Sequence, residues 1–186
     1  MNTLILNIPN MISFARLLCV PVAVWLILNG SLLTAFWIFV IAGLSDAIDG
    51  FLARRFNLRT FIGGYIDPIA DKALLVSVFV TLGHQGYIES WLVILVVFRD
   101  ALIVCGAMLY QLLFRNLSMQ PLISSKINTT MQFLMVSSVL GLLGYGIDAA
   151  LELTVLTYLT ALTTVWSGAA YVLVWGRRVT ALEPGE

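Results

Sequence analysis

The stretch SDAIDGFLARRF, residues 45–56, is the part of this sequence that best predicts its fold and its chemistry. It follows a long uncharged run and places Asp46 and Asp49 three positions apart. A second pair, Asp67 and Asp71, follows in YIDPIADK and lies four positions apart. Because ionised groups at the ends of apolar helices are costly, four carboxylates in so short a region indicate a functional site.

The composition is that of an integral membrane protein. Of 186 residues, 60% are hydrophobic and 11% are charged, and the mean hydropathy is +0.98. A soluble domain carries about 25% charged residues. Both cysteines, Cys19 and Cys105, fall in apolar runs, so a disulfide framework is not expected. No nucleic-acid partner is expected either.

Apolar runs of the roughly 20 residues that cross a bilayer recur along the whole sequence. They predict an all-α integral membrane protein, a single domain over residues 1–186, with six transmembrane helices in one bundle and a polar cavity open to the cytoplasmic side. The predicted spans are about 9–28, 32–54, 65–83, 90–114, 126–145 and 151–175. The small residues of GLLGYG, which begins at Gly141, predict a helix-packing face.

The distribution of lysine and arginine predicts the orientation. The loops after the second and fourth helices and the C-terminal tail are basic, whereas the three opposite loops hold only acids. The basic residues are Arg54, Arg55, Arg59, Arg115, Lys126, Arg177 and Arg178. The positive-inside rule then places both termini and the aspartates on the cytoplasmic face. Since no signal peptide or presequence is evident, the expected location is the inner (plasma) membrane of a bacterium.

Each aspartate pair predicts one functional helix face, because spacings of three and four bring side chains to the same side. A short connection joins the two helices, so the four carboxylates can converge. Four unpaired negative charges in a low-dielectric site repel one another, and one or two divalent cations remove that conflict. Carboxylate oxygens suit Mg²⁺ or Mn²⁺, and Mg²⁺ is often completed by substrate phosphates.

The residues between the aspartates predict a phosphate site. Gly50 lets a ligand approach the backbone, Ala53 continues the small face, and Arg54 can bind a phosphate with two parallel hydrogen bonds. Thr60 and Gly63 lie in the turn before the second aspartate pair. The alternative, a solvated cluster of aspartates paired with nearby arginines, explains one aspartate well but not four in this arrangement with glycines.

The run Asp46-x-x-Asp49-Gly50-x-x-Ala53-Arg54, then eight residues, then Gly63-x-x-x-Asp67-x-x-x-Asp71 resembles the signature of the CDP-alcohol phosphotransferase family. It covers 26 residues, and every fixed position is present. The resemblance implies six transmembrane helices, commonly in a homodimer. It also implies an enzyme that displaces CMP from a CDP-linked lipid with the hydroxyl of an acceptor alcohol.

The resemblance also implies a role for each matching residue. Two divalent metals, Mg²⁺ or Mn²⁺, would be held by Asp46, Asp49, Asp67 and Asp71 and would bridge the pyrophosphate. Asp71 would double as the general base that takes the acceptor's proton. The CDP moiety would be contacted by Gly50, Ala53, Arg54, Thr60 and Gly63.

The segment NIPNMISFARLLCVP, residues 7–21, resembles the opening of the phosphatidylglycerophosphate synthase and cardiolipin synthase branches of the family. By that resemblance, Asn10 and Arg16 would line the CDP-lipid site. The alternatives are that Asn10 caps the first helix and that Arg16 merely snorkels to the interface.

The acceptor alcohol is predicted from the fourth and fifth helices. Arg99 in FRDALIVCGAMLY and Lys126 in ISSKINTTMQF could bind an acceptor phosphate. Arg99 and Asp100, as adjacent residues, are expected to point to different parts of the helix surface. The alternative for Arg99 is a buried arginine paired with one of the four signature aspartates, and the alternative for Lys126 is an interfacial anchor.

Two differences from the phosphatidylglycerophosphate synthase pattern favour a lipid acceptor over a small dianion. Phosphatidylglycerophosphate synthases usually carry a further arginine where this sequence has Gly106 to Leu109, and a second lysine where it has Asn128. The Ser-Lys-x-Asn-Thr run is similar to that of CDP-diacylglycerol-dependent cardiolipin synthases. The resemblance therefore favours phosphatidylglycerol as acceptor and cardiolipin as product, with glycerol 3-phosphate as the alternative acceptor.

Two other classes of protein account less well for the same residues. A divalent-cation transporter would need acids through the depth of the bilayer, whereas these aspartates cluster on one side. A non-catalytic lipid scaffold would not need two glycines and four regularly spaced carboxylates.

Overall fold

The structure, a computed structural model, describes the backbone of residues 2–56, 63–113 and 122–180 and the side chains of residues 14–45, 72–106 and 122–175. Six α-helices account for nearly all of these described residues. They are α1 (Asn2–Leu28), α2 (Leu32–Phe56), α3 (Gly63–His84), α4 (Ser90–Leu113), α5 (Ile123–Gly144) and α6 (Ala150–Thr180). The all-α prediction is confirmed over these ranges.

Helix α1 begins earlier than the sequence predicts. It starts at Asn2 rather than near Pro9, so both Pro9 and Pro21 lie inside the helix. A proline removes one backbone hydrogen bond, and membrane helices tolerate this because local adjustments satisfy the freed carbonyl. The alternative role of Asn10 as the cap of this helix is therefore wrong, because Asn10 lies two turns inside it.

Two of the described helical stretches, Ile123–Gly144 and Ala150–Trp175, are long and apolar enough to cross a bilayer by length and composition. Shorter apolar stretches are Phe14–Leu28, Leu32–Ser45 and Lys72–His84. Large apolar side chains are exposed on the described part of every helix, for example Trp25, Trp37, Val80, Ile94, Leu134 and Leu162. Exposed apolar surface on this scale is unusual for a soluble monomer and typical of a lipid-facing one. Six membrane crossings remain a prediction.

The chain forms two compact units. The first contains Met1–Ile88 and Val136–Ala149. Within it α1 packs on α2 and α3, and α2 also contacts α3. Its interior is mostly apolar, with Ile27, Phe39 and Phe79 almost fully buried.

Glycines allow the last turns of α5 to approach α2 closely in this first unit. A Cβ on Gly144 would lie 2.8 Å from the backbone nitrogen of Leu33, and one on Gly141 would lie 3.1 Å from the ring of Phe36. No side chain fits at Gly144 without moving backbone. The predicted helix-packing role of this small-residue segment is confirmed.

The second unit contains Glu89–Met135 and Ala150–Glu186. Here α4 packs on α6, and the Trp175 ring fills the space beside Gly106, where a Cβ would meet it at 1.6 Å. Unlike the first unit, this one buries many polar side chains: Arg99, Asp100, Ser124, Asn128, Gln132, Thr157, Thr160, Thr164 and Ser167. Several of these side chains form a hydrogen-bonded network around Arg99 and Asn128.

Candidate functional site

The four aspartates lie on two helices that contact each other in the first unit. Asp46 and Asp49 fall in the last three turns of α2, and Asp67 and Asp71 in the first three turns of α3. Because each helix is continuous through its pair, both members of a pair occupy one helical face. The side chains of all four lie outside the described residues, so their convergence on one site remains a prediction.

The donor set fits the metals that the sequence implies. Four carboxylates offer only hard oxygen ligands, and these suit Mg²⁺ or Mn²⁺ rather than the softer transition metals. Among the side chains that the structure describes, no group of three or more His, Cys, Asp or Glu residues could hold a metal ion. The aspartate pairs are the candidate ligands that the sequence predicts.

The other predicted donor residues are only partly described. Gly50, Ala53 and Arg54 continue α2, and Gly63 opens α3. The side chains of Asn10, Ala53 and Arg54 lie outside the described residues, as does the whole of Thr60. Their proposed contacts with the CDP moiety stay predictions.

Arg16 lies in a cleft between α1 and α2. The cleft has a volume of about 250 Å³ and is lined by Ala15, Arg16, Cys19, Ile38, Ile41, Ala42 and Ser45. Its walls are largely apolar, the Ser45 hydroxyl donates to the Ile41 carbonyl at 2.7 Å, and the next residue is the first aspartate. Arg16 is only 3% exposed, so it does not snorkel to water. The structure thus buries this cation next to the start of the signature.

Arg99 is the centre of a buried hydrogen-bond network in the second unit. It is 3% exposed, and its Nη1 donates to Oδ1 of Asp100 at 2.7 Å. Its Nη2 donates to the Ser125 hydroxyl at 2.9 Å and also to the Ser167 hydroxyl. One side chain of α4 therefore links α5 and α6.

The expectation that Arg99 and Asp100 point apart is wrong. The long arginine side chain bends back along its own helix far enough for its guanidinium to reach the neighbouring carboxylate. Arg99 is buried, as the alternative expects, and its described partner is Asp100. A pairing with one of the signature aspartates stays a prediction, because their side chains lie outside the described residues. Whether Arg99 also binds substrate is untested, and its Nε has no hydrogen-bond partner among the described residues.

Asn128 links α5 to α6 one turn further along. Its amide oxygen accepts from the Thr164 hydroxyl at 2.8 Å and from the Thr163 hydroxyl at 3.1 Å. Both hydroxyls also lie within reach of the Thr160 carbonyl, at 2.7 and 3.0 Å, and each has a single hydrogen to donate. The sequence identifies Asn128 only as the residue that stands where phosphatidylglycerophosphate synthases have a second lysine, and it does not predict this contact.

Lys126 differs from Arg99 in being exposed, and its backbone carbonyl accepts from the Thr130 hydroxyl at 3.0 Å. It lies in the first turn of α5, so its ammonium group is accessible to a phosphate or to lipid headgroups. The structure is consistent with both the predicted role and the interfacial alternative.

Sequence reasoning missed the polar interior of the second unit. The signal was present in TALTTVWS, residues 160–167, where polar side chains recur at helical spacing within an otherwise apolar span. Polar residues on one face of a membrane helix ordinarily point to the protein interior, often to a functional site. The helix partners of that face could not be read from the sequence.

The predicted residues separate between the two units. The first unit contains the predicted metal ligands and those predicted CDP-lipid residues whose backbone is described. The second unit contains both acceptor candidates, Arg99 and Lys126. The class that these features define is an all-α protein with long apolar helices, a carboxylate signature on two consecutive helices, and a separate buried polar network.

A family model for CDP-alcohol phosphatidyltransferases matches residues 6–176. The chain therefore belongs to the CDP-alcohol phosphatidyltransferase family, and the resemblance drawn from the signature is confirmed.

Curated relatives fall in two branches of this family. The chain is 35% identical over 184 residues to a chloroplastic CDP-diacylglycerol–glycerol-3-phosphate 3-phosphatidyltransferase of Oryza sativa, covering 89% of this chain and 56% of that protein. It is 30% identical over 181 residues to the CMP-forming cardiolipin synthase of Homo sapiens, covering 89% of this chain and 60% of that protein. With the cardiolipin synthase of Streptomyces coelicolor it shares 36% identity over 106 residues, 54% of this chain and 49% of that protein. The chain thus spans less than two thirds of the length of these relatives.

Proposed function

We propose that this protein catalyses phospholipid synthesis by transferring a phosphatidyl group from CDP-diacylglycerol to phosphatidylglycerol, giving cardiolipin and CMP. The acceptor's primary hydroxyl oxygen would bond to the lipid-side phosphorus as the bond to CMP breaks, and the proton would pass to Asp71. The observation that carries the choice of acceptor is the ion pair of Arg99 with Asp100.

That ion pair matters because it neutralises the charge of Arg99. Among the described side chains of the second unit, Arg99 and Lys126 are the cations, and Arg99 already contacts a carboxylate. Of these two described cations, Lys126 remains to balance acceptor charge, which suits the single charge of a phosphodiester. A dianionic acceptor such as glycerol 3-phosphate would need further cations in a site of low dielectric constant.

The aspartates would hold two Mg²⁺ or Mn²⁺ ions, and these would supply charge neutralisation to the pyrophosphate. Arg16, buried in its cleft beside the signature, would bind a donor phosphate with Arg54. Gly50, Ala53, Thr60 and Gly63 would leave room for the CDP moiety, and Asn10 would lie on the same unit. Asp71 would orient the acceptor hydroxyl and take its proton.

Phosphatidylglycerophosphate synthesis is the second candidate, with glycerol 3-phosphate as acceptor. The relative from Oryza sativa favours it, since the identity with that protein is 35%, against 30% with the human cardiolipin synthase. The exposed Lys126 is compatible with either acceptor. A divalent-cation transporter is disfavoured because Asp100, the buried acid of α4, is engaged by the Arg99 guanidinium.

The site is further proposed to face the cytoplasm at an inner membrane, and the protein to form a homodimer. The distribution of basic loops supports the orientation. The exposed apolar surface of both units is compatible with lipid and with a second copy.

Product analysis tests the proposal. The purified chain would receive CDP-diacylglycerol, phosphatidylglycerol and glycerol 3-phosphate together, with Mg²⁺ or Mn²⁺, and products would be identified by mass spectrometry. Cardiolipin and CMP are expected. If phosphatidylglycerophosphate is the sole product, the acceptor is glycerol 3-phosphate and not phosphatidylglycerol. If no CMP forms with either acceptor and either metal, the enzyme activity is rejected.

A further inference from the structure

Helices α5 and α6 are joined by polar contacts at regular levels. At the first level, Arg99 bridges Ser125 of α5 and Ser167 of α6. At the second, one turn along α5 and one turn back along α6, Asn128 contacts Thr164. A step forward on one helix thus matches an equal step back on the other, as in antiparallel neighbours.

The same register defines a third level, formed by Gln132 of α5 and Thr160 of α6. Both side chains are fully buried. Within the part of the chain that the structure describes, neither the amide nitrogen nor the amide oxygen of Gln132 has a hydrogen-bond partner, and neither does the Thr160 hydroxyl. The amide nitrogen of Asn128, one turn away, has none either.

These side-chain groups without hydrogen-bond partners lie within one helical turn of hydrogen-bonded ones, on the same faces of α5 and α6. Buried polar side chains are ordinarily hydrogen-bonded, and two amides with a hydroxyl left over at adjacent levels are unusual in a protein interior. In a helix that crosses a membrane, lipid supplies no alternative partner. The arrangement is that of a site which a polar ligand completes.

The chemistry of the groups limits the ligand. The Gln132 amide can donate from nitrogen and accept at oxygen, so it matches a hydroxyl, which also does both. The Asn128 amide nitrogen adds a hydrogen-bond donor, and the Thr160 hydroxyl adds a group that can both donate and accept. None of these side chains is charged, and an amide oxygen repels phosphate oxygens. The matching ligand is therefore a neutral group that carries a hydroxyl.

We propose that Gln132, with Thr160 and Asn128, binds the secondary hydroxyl of the three-carbon acceptor headgroup. This inference rests on the proposed function but not on the choice of acceptor. Phosphatidylglycerol and glycerol 3-phosphate both carry such a secondary hydroxyl. Gln132 acts as a specificity-determining residue for the headgroup, and the phosphate is left to other residues.

The test compares two acceptors that differ by this hydroxyl. Phosphatidylglycerol is compared with phosphatidyl-1,3-propanediol, which keeps the primary hydroxyl and lacks the secondary one, in CMP release by the full chain in mixed micelles. The unsubstituted protein is expected to prefer phosphatidylglycerol by about tenfold or more in kcat/KM, because a site built to bond a hydroxyl leaves buried groups unpaired with the analogue. Gln132→Leu is expected to lower that preference to near one, while the KM for CDP-diacylglycerol stays unchanged.

If the acceptor is glycerol 3-phosphate, the same comparison uses glycerol 3-phosphate and 3-hydroxypropyl phosphate, which lacks the secondary hydroxyl. Gln132→Met provides a second apolar side chain of different shape, so that a packing defect in one variant does not decide the result. Gln85→Leu is the matched control, since it makes the same chemical change at an exposed residue.

The outcomes separate this inference from the proposed function. Equal preference for the two acceptors in the unsubstituted protein, or a preference that both Gln132 variants retain, would overturn the subsite while leaving phosphatidyl transfer intact. A purely structural amide predicts unchanged preference together with equal or higher thermal stability of Gln132→Leu, since replacing an unsatisfied buried amide by an apolar side chain of similar size costs little. Absence of CMP release from any acceptor would instead reject the enzyme activity itself.

Discussion

Nη1 of Arg99 lies 2.7 Å from Oδ1 of Asp100, and the two side chains are 3% and 6% exposed. This pair of sequence neighbours is buried, and the same guanidinium also bonds Ser125 and Ser167 on two other helices. The arrangement compensates the arginine charge locally, and Nη2 links α4 to α5 and α6 within the second unit. Arg99 is thus a structural centre of that unit, whatever it also contributes to substrate binding.

Removing the charge of Asp100 should destabilise the second unit. Asp100→Asn leaves the Arg99 cation buried without a counter-charge, and breaking a buried ion pair by removing one partner costs about 3–5 kcal/mol. We expect a clearly lower melting temperature in detergent. Asp148→Asn, the same change at an exposed position, is the control and should melt like the unsubstituted protein. Equal melting of the two variants would contradict the structural role of the pair.

Gly144→Ala should destabilise the first unit, because the added Cβ would meet the Leu33 backbone at 2.8 Å. Overpacking of this kind typically costs about 1–3 kcal/mol. Gly168→Ala is the matched control. Its Cβ would find only Arg99 Cγ, at 3.6 Å, and alanine is the better helix former, so equal or higher stability is expected. Thermal unfolding of both variants in the same detergent checks the difference, which should vanish if α5 does not approach α2 this closely.

Asp71→Asn should abolish turnover while preserving binding of the donor. The asparagine keeps the shape and one oxygen ligand but cannot take a proton from the acceptor hydroxyl. A loss of CMP release by roughly 100-fold or more is expected, in the range of general-base contributions. CDP-diacylglycerol binding, measured by protection against thermal unfolding, should persist. Near-normal turnover would show that Asp71 is not the base.

Chelation should stop CMP release, and added Mg²⁺ or Mn²⁺ should restore it, because the proposed reaction uses divalent cations, held by the four aspartates, to neutralise the pyrophosphate. The measurement is CMP release before and after treatment with EDTA and readdition of each metal, with Ca²⁺ as a comparison ion. Full activity in excess chelator would contradict the assignment of the aspartates as metal ligands.

Arg16→Leu should weaken donor binding specifically. Hydrogen bonds to charged groups contribute about 1.5–3 kcal/mol, so the KM for CDP-diacylglycerol is expected to rise roughly 10- to 100-fold, with little change in the KM for the acceptor. Cys19→Ala, an uncharged change in the same cleft, is the control. If both substrates lost affinity equally, Arg16 would have a structural rather than a donor-binding role.

The sequence alone determined the features that depend on local repetition. Helix formation, apolar runs and the placement of each aspartate pair on one face all follow from hydrogen bonds that reach four residues along the chain, so they can be read without knowing any neighbour. The spacing of the signature was enough to predict the family that the comparisons confirm. The small residues at Gly141 and Gly144 likewise predicted close packing, though not the surface against which they pack.

Only the tertiary structure decided which residues complete one another across helices. Arg99 meets Ser125 and Ser167, 26 and 68 positions away, and the register that unites Asn128 with Thr164 leaves Gln132 and Thr160 without partners. Such pairings depend on the rotation and offset of whole helices. Those are set by the packing of many side chains at once, and many registers would present the same polar face, so no local pattern specifies them.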